Sequence, residues 1–171
     1  METSLDRFIK AQNSCKIYEI ALQEMKKGHK RSHWIWYIFP QLKGFGHSYN
    51  SQYYGLDDVE EAKAYLKHPI LGKRLREITA VLLDHTDEDP VTLMGSHIDA
   101  IKLRSCMTLF DYISPNDIFS QILDALFGGN KEDINVIGIR HGEKMYETLL
   151  TKEECAKAED MGDFYRVPAD N

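Results

Sequence analysis

The chain of 171 residues is short of cysteine, of clustered histidine, of surplus positive charge and of long apolar runs. Cys15, Cys106 and Cys155 are odd in number and far apart, with no Cys-x-x-Cys. That spacing excludes a disulfide framework and points to reduced thiols. The histidines at 29, 33, 47, 68, 85, 97 and 141 form no His-Glu-x-x-His and no Cys/His finger, so no metal site is expected. No apolar run approaches the roughly 18 residues of a membrane span. No basic and apolar leader opens at Met1. These absences together predict a cytoplasmic protein with no membrane partner. A net charge of -6 and a pI near 5.6 leave no basic footprint for nucleic acid. Gly44-Phe45-Gly46 lacks a third glycine and a preceding strand, so it makes a poor phosphate loop, and no cofactor is expected.

What the chain does have is aromatic surface concentrated in one place. Arg31 to Leu42 holds both tryptophans, Trp34 and Trp36, with Tyr37 and Phe39. Each such ring buries roughly 150–250 Å², enough to seed a core. Arg31, Ser32 and His33 lead into this run, and Gln41, Lys43, His47 and Ser48 follow it. An apolar block with polar lips is either the floor of a pocket or a core segment with a solvated entry and exit. Pro40 disfavours a helix through Phe39, so the run reads as a short buried helix ended by a loop.

Around it the period is helical. Phe8, Ala11, Cys15, Tyr18, Leu22 and Met25 form one stripe, opened by Ser4 and closed by Gly28. Lys26, Lys27, Lys30 and Arg31 gather at its end, as a solvated basic helix terminus would. Asp57 or Asp58 caps a helix through Leu66, which His68-Pro69 breaks. A second helix is expected from Pro69 to about Leu83, followed by an acidic surface loop from Asp84 to Pro90. Ser96 opens a helix to Ile113 with two apolar faces, Ile98, Ile101, Leu109 and Tyr112 on one and Leu103, Cys106, Met107 and Phe110 on the other. A helix apolar nearly all round should be central. Ser114-Pro115 restarts helix as far as Gly128-Gly129.

The double glycine marks a change of character. Ile134 to Ile139 is β-rich, and Thr151-Lys152-Glu153-Glu154 is a capping box. Residues 131–171 carry ten acids against six bases, net -4, which leaves -2 for residues 1–130. The expected fold is an all-α, compact multi-helix domain over residues 1–130, of about five or six helices, with a small α/β C-terminal appendage over residues 131–171.

Charge inside apolar helix is the other signal. Asp99, Lys102 and Arg104 sit on the helix expected to be central, where charges are costly unless they are paired or face a ligand. Asp99 and Lys102, three apart, form a natural pair. Lys102 and Arg104, with Ser105 and Thr108, would alternatively line an anion-accepting pocket beside His33, Trp34, Trp36, Gln41, His47 and Ser48.

Several motifs carry a family likeness. Arg7-Phe8, Ala11-Gln12, Ser32-His33-Trp34-x-Trp36, Phe39-Pro40-Gln41, Ala64-Tyr65-Leu66-x-His68-Pro69-x-Leu71-Gly72-x-Arg74-Leu75 and Lys102…Ser105-x-Met107-Thr108-Leu109-Phe110 are the residues concerned. Over about residues 4–130 they resemble a small bacterial family of unknown function, domain of unknown function 1810, often labelled calpastatin-like. The resemblance implies a compact helical domain with no assigned reaction. Calpastatins are disordered inhibitors, and the repeated amphipathic stripes here point instead to a packed core. A fainter likeness in general layout is to the YbiA-like N-glycosidases acting on ADP-ribose derivatives.

The tail carries a separate resemblance. Val136-Ile137-Gly138-x-Arg140-His141-Gly142-Glu143-Lys144-x-Tyr146-Glu147-Thr148-Leu149 and Ala158 to Asn171 are similar to the C-terminal end of bacterial UDP-N-acetylglucosamine 4,6-dehydratase/epimerases of capsular polysaccharide synthesis. Arg140, Glu143 and Lys144 would then be a remnant of substrate binding. No Gly-x-x-Gly-x-x-Gly follows a strand and no Tyr-x-x-x-Lys occurs, so the hydride chemistry of those enzymes has neither its cradle nor its acid/base here.

Three functions follow as expectations: binding of a small anionic or nucleotide-like ligand in a Trp-lined pocket, an N-glycosidase-like reaction on ADP-ribose derivatives, or a non-catalytic protein-interaction module. A lone strand over residues 134–139 would leave backbone donors unpaired, which suggests a homodimer paired through it. Truncation after Gly129 is expected to leave a cooperative thermal melt. Loss of that melt would make the tail part of the helical fold.

Overall fold

The computed structural model describes residues 4–128, 159–160 and 165–166. The chain divides into two compact units, Met1–Ile134 and Asn135–Asn171. Among the described residues the first unit is built of nine α-helices: α1 (Asp6–Asn13), α2 (Ile17–Lys26), α3 (Ile35–Ile38), α4 (Tyr49–Tyr53), α5 (Val59–Lys67), α6 (Leu71–Val81), α7 (Pro90–Met94), α8 (His97–Ile113) and α9 (Ile118–Phe127). Single 3₁₀ turns at Ser14–Lys16 and Leu82–His85 join or extend them. In the second unit Glu159–Asp160 and Tyr165–Arg166 pair antiparallel, Glu159 opposite Arg166. The expected strand 134–139 and the capping box at 151–154 lie outside the described residues.

Helix α8 is central, packing against α3, α5, α7 and α9. Its start follows from the sequence, because the Ser96 hydroxyl accepts the Asp99 amide at 3.1 Å and so satisfies one of the orphan donors of the first turn. Leu103, Cys106, Met107 and Phe110 are fully buried. The second expected apolar face behaves differently. Leu109 is buried, but Ile98, Ile101 and Tyr112 are 66%, 52% and 53% exposed. The helices that pack on α8 cover one flank of it, and periodicity alone does not say which apolar flank finds a neighbour.

The core is threaded by aromatic rings. Phe8 meets Tyr65 edge-on at 5.0 Å, Tyr65 meets Phe110 at 5.9 Å, and Phe110 meets Phe119 at 5.6 Å. Tilted and edge-to-face contacts of this kind suit the quadrupoles of the rings. Gly72 allows the turn between α5 and α6 to close. A Cβ there would lie 1.9 Å from the Leu66 carbonyl oxygen, so any side chain would push the two helices apart.

The N-terminal stripe is not one helix. Cys15 and Lys16 adopt left-handed φ values of 49° and 56°, and the chain kinks between α1 and α2. For residues with a Cβ this costs roughly 1–2 kcal/mol each. The kink lets α1 pack on α3 while α2 packs on α6, which a straight helix could not do. Cys15, expected on the buried stripe, is therefore exposed. Ser4 makes no cap hydrogen bond either, and Leu5 stands at the N-cap of α1 without one. At the other end of the unit, Asp117 rather than Ser114 caps α9, accepting the Ile118 amide at 2.7 Å.

Trp34 is fully buried while Trp36 is half-buried. Trp34→Ala is therefore expected to destabilise by about 3–5 kcal/mol. Trp36→Ala should cost much less. Urea midpoints for the two variants test this, and equal losses would contradict it.

Candidate functional site

The segment between α2 and α3 is extended, and its side chains alternate. His29, Arg31 and His33 are exposed, whereas Lys30 and Trp34 are buried and Ser32 is half-buried. One carboxylate organises the inward set. Glu24 of α2 accepts the Arg31 amide at 2.9 Å, the Ser32 amide at 3.0 Å, the Trp34 indole at 2.8 Å and the Ser32 hydroxyl. Burial raises the Glu24 pKa, but the donors from Ser32, Arg31 and Trp34 outweigh it and hold the carboxyl at about 2.

Lys30 turns in the opposite sense from its basic neighbours. Its ammonium is 2.7 Å from the Asp99 carboxylate and 5.1 Å from the Trp34 ring centroid. Asp99 also receives Lys102 at 3.3 Å, and the Lys102 ammonium stands 4.7 Å from the centroid of Trp36. Two lysines thus share one aspartate at the N-terminal turn of α8, where a negative side chain also suits the helix dipole. The structure brings together Trp34, Trp36 and Lys102 of the residues expected at the site, and adds Lys30 and Asp99.

The remaining expected residues stand apart from this cluster. Among the described residues no hydrogen bond, ion pair or ring contact joins Arg104, Ser105, Thr108, His33, Gln41, His47 or Ser48 to it. Arg104, His33 and His47 are exposed, and Ser105 and Thr108 are half-buried on α8. Gln41 acts through its backbone, its carbonyl accepting the Leu56 amide at 2.9 Å. Ser48 caps α4 by accepting the Ser51 amide at 3.2 Å. Arg140, Glu143 and Lys144 lie outside the described residues.

Two further polar networks hold positions that motif reading noticed without explaining. Arg7 forks onto Glu61 at 2.8 and 3.0 Å and donates to the Gly55 carbonyl at 3.0 Å. The Gln12 amide, almost wholly buried, donates to the Tyr37 carbonyl at 2.8 Å and to the Tyr65 hydroxyl at 3.0 Å, while its oxygen accepts Arg74 at 3.2 Å. These pin α1 to the Trp-rich segment and to α5 and α6.

Among the described residues, depressions beside α2, between α2 and α6 and beside α4 are lined by no residue of the expected Trp-centred pocket. One of about 500 Å³ opens beside the C-terminal end of α2. Ile20 and Gln23 contribute to its wall; Lys16, Lys27, His29 and Arg31 supply basic groups, and Glu19 and Glu24 acidic ones. Lys16, Lys27 and Arg31 make no side-chain ion pair or hydrogen bond among the described residues. His29 is oriented, its Nδ1 donating to the Thr92 carbonyl at 2.9 Å. The carbonyls of Gln23, Glu24 and Met25 near the end of α2 are already engaged by the amides of Lys27, Gly28 and His29, so these cations are not needed to satisfy them. The residues missed from sequence are Lys16, Glu24 and Lys30, and Lys27 and Arg31 were read only as a solvated helix end. The one available signal was an acid, Glu24, ahead of a run rich in donors.

No group of three His, Cys, Asp or Glu among the described residues is placed to hold a metal ion. Nor is any described helix long and apolar enough to cross a membrane.

Comparison with known proteins adds the following. A family model described as Protein of unknown function (DUF1810) matches residues 2–137. Among solved structures the chain is similar to the conserved hypothetical protein Rv1873 from Mycobacterium tuberculosis, at 38% identity and a TM-score of 0.70, covering 75% of this chain and 91% of that one. It is 37% identical over 97 residues to the UDP-glucose 4-epimerase of Rickettsia canadensis, a match covering 50% of this chain and 28% of that protein. The UDP-glucose 4-epimerase of Rickettsia akari is 48% identical over 54 residues, covering 32% of this chain and 16% of that protein. The chain spans less than a third of the length of either epimerase.

The carboxyl of Glu24 falls from the ordinary 4.5 to about 2 on folding. A depressed acid stabilises the fold above its unfolded pKa and loses that contribution as the pH falls through the folded value. Glu24→Gln should therefore cost about 1–3 kcal/mol at neutral pH. The gap between variant and parent should narrow as the pH drops from 4.5 towards 2. Urea midpoints taken across that range check it, and a gap that stays constant would refute the assignment.

Proposed function

We propose, from the premise that this chain belongs to the family described as Protein of unknown function (DUF1810), that its helical unit binds a small anionic, nucleotide-like ligand. The observation that carries this reading is the set of three cations, Lys16, Lys27 and Arg31, around the cavity beside α2, none of them paired among the described residues. Of the two acids in the lining, Glu19 and Glu24, Glu24 has its oxygens engaged by Arg31, Ser32 and Trp34 donors. All three cations are exposed, so an anion would be held by the three acting together rather than by any one of them. Arg31 offers the planar fork that matches such an anion in two hydrogen bonds. Ile20, 39% exposed, supplies apolar surface for the rest of the ligand.

No residue of the sequence-derived pocket lines this cavity, and Trp34 reaches it only through Glu24. Trp34 donates to Glu24, and Trp36 of α3 with Lys102 of α8 forms a separate cationic aromatic edge. At that edge the charge of Lys102 is already shared with Asp99, which makes it the weaker anion site. An N-glycosidase reading asks for a carboxyl free to exchange a proton or to meet a ribose, and Glu24 has both oxygens occupied. One observation favours the interaction-module reading, the exposure of Ile98, Ile101 and Tyr112 along α8.

The test is a thermal-shift screen with AMP, ADP-ribose, UDP-glucose and inorganic phosphate. A ligand at 100 times its dissociation constant adds roughly 2.7 kcal/mol of stability. The expected result is stabilisation by at least one anion, abolished by the double variant Lys27→Ala, Arg31→Ala, whose own melt should match the parent because both side chains are exposed. Absence of any shift, or a shift that survives the double variant, would overturn the reading.

A further inference from the structure

A second depression, of about 430 Å³, differs in that both of its cations are paired with acids. It is lined by Arg7, Lys43, Tyr49, Gln52, Tyr53 and Asp57. Tyr49 and Tyr53, one turn apart on α4, stand parallel with centroids 5.6 Å apart and planes 8° from each other. Tyr49 is 76% exposed, so one face of its ring is offered to solvent. A lone exposed tyrosine needs no explanation. This pair is different because it is braced from beneath. Tyr53 meets Tyr54 edge-on at 4.9 Å, and Tyr54 meets Tyr37 at 4.9 Å and Phe8 at 6.1 Å, carrying the contact into the core.

The polar rim is equally fixed. The Lys43 amide donates to the Leu56 carbonyl at 2.9 Å, holding the loop after the Trp-rich segment against the start of α5. Gly55 makes room for this approach, since a Cβ there would sit 2.4 Å from Lys43 Cγ and 2.7 Å from the Ser51 carbonyl oxygen. The Lys43 ammonium pairs with the Asp57 carboxylate. Gln52 donates its amide to the Gly46 carbonyl at 2.6 Å, leaving its side-chain oxygen without a described partner.

We propose that this depression binds a neutral pyranose ring, stacked on Tyr49 and hydrogen-bonded along its hydroxyl edge by Asp57, Lys43 and Gln52. The ring face of a tyrosine is the negative side of its quadrupole, and the C–H bonds on one face of a pyranose present weakly positive hydrogens to it. Neighbouring hydroxyls both donate and accept. A carboxylate beside an ammonium, with an amide oxygen next to them, supplies the matching set. Charge balance selects the neutral ligand, because Lys43 is matched by Asp57 and Arg7 by Glu61 at 2.8 Å. No surplus cation remains there for a phosphate. A tyrosine has only two side-chain torsions, so little rotamer freedom is lost when its ring is stacked on. This site stands independently of the anion cavity beside α2.

Saturation-transfer NMR on the full chain tests it, with methyl β-D-glucopyranoside, N-acetylglucosamine and cellobiose as probes and AMP and inorganic phosphate as controls. At least one pyranoside should show saturation of its ring C–H protons, and phosphate should not displace it. Tyr49→Ala should weaken binding about tenfold, as the loss of one stacked face implies. Tyr49→Phe should retain it. Asp57→Asn should weaken binding while leaving the ring contact in place. Silence of all three pyranosides in the parent, or saturation unchanged in Tyr49→Ala, would overturn the proposal. So would AMP binding through Tyr49 while the sugars stay silent, which would make the platform a base-stacking site.

Discussion

The hydrogen bonds converging on Glu24 decide where the tryptophans go, and through them the shape of both faces of the segment that follows α2. Leaving α2, the chain must cross to α3 without a helix to satisfy its backbone. Glu24 accepts the amides of Arg31 and Ser32 along that crossing, together with the Trp34 indole. A carboxylate with donors of this number keeps its charge on burial. Its ionised state makes the alternation hold, because every second side chain is drawn inward to the acid or to Asp99. The exposed positions between them, His29, Arg31 and His33, are basic or titratable. The inward network therefore sorts the charges of the outward face.

Asp99 plays the complementary part. It neutralises Lys30, whose side chain is 6% exposed, and steadies Lys102 over Trp36. A lysine so enclosed is costly without a partner. Removing Asp99 would leave one ammonium stranded between Trp34 and α8, so this ion triad is as much a condition of the fold as the aromatic packing around it. Of the charges on the central helix, Asp99 and Lys102 are paired while Arg104 is exposed, and breaking a buried pair such as Lys30 and Asp99 carries a large penalty.

Much of the fold was legible because helices announce themselves at their ends. Ser96, Asp58 and the break at His68-Pro69 all act as their residue types predict. The family motifs likewise marked residues that pack, as Gln12, Tyr65 and Arg74 do in one network. Pairings distant in sequence were not legible. Lys30 reads as one of several basic residues at a helix end, and only the arrival of α8 distinguishes it from Lys27 or Arg31. Cys15 falls on an apolar stripe, and nothing local shows that the stripe breaks there. The short α4 and α7 were missed because five residues are too few for a period to show. The cavity beside α2 was illegible for a related reason, since its basic groups come from Lys16, before the helix, and from the segment after it.

The kink at Cys15 and Lys16 joins these observations. Two left-handed residues with side chains persist only where the surroundings fix them. Here the surroundings are plain: α1 is held to the Trp-rich segment and α5 by Gln12 and Arg7, while α2 is held to α6, with Tyr18 donating to Glu77 at 2.5 Å. The two attachments are incompatible with a continuous helix, and the chain resolves the conflict over two residues. The strain thus has a packing cause, and the placement of Lys16 follows from it. The same residue types recur in the neutral depression around Tyr49, where Arg7 and Lys43 each meet an acid. The two surfaces differ in character because their cations differ in partners. At α2, neutral donors occupy Glu24, one of the two carboxylates beside the cations.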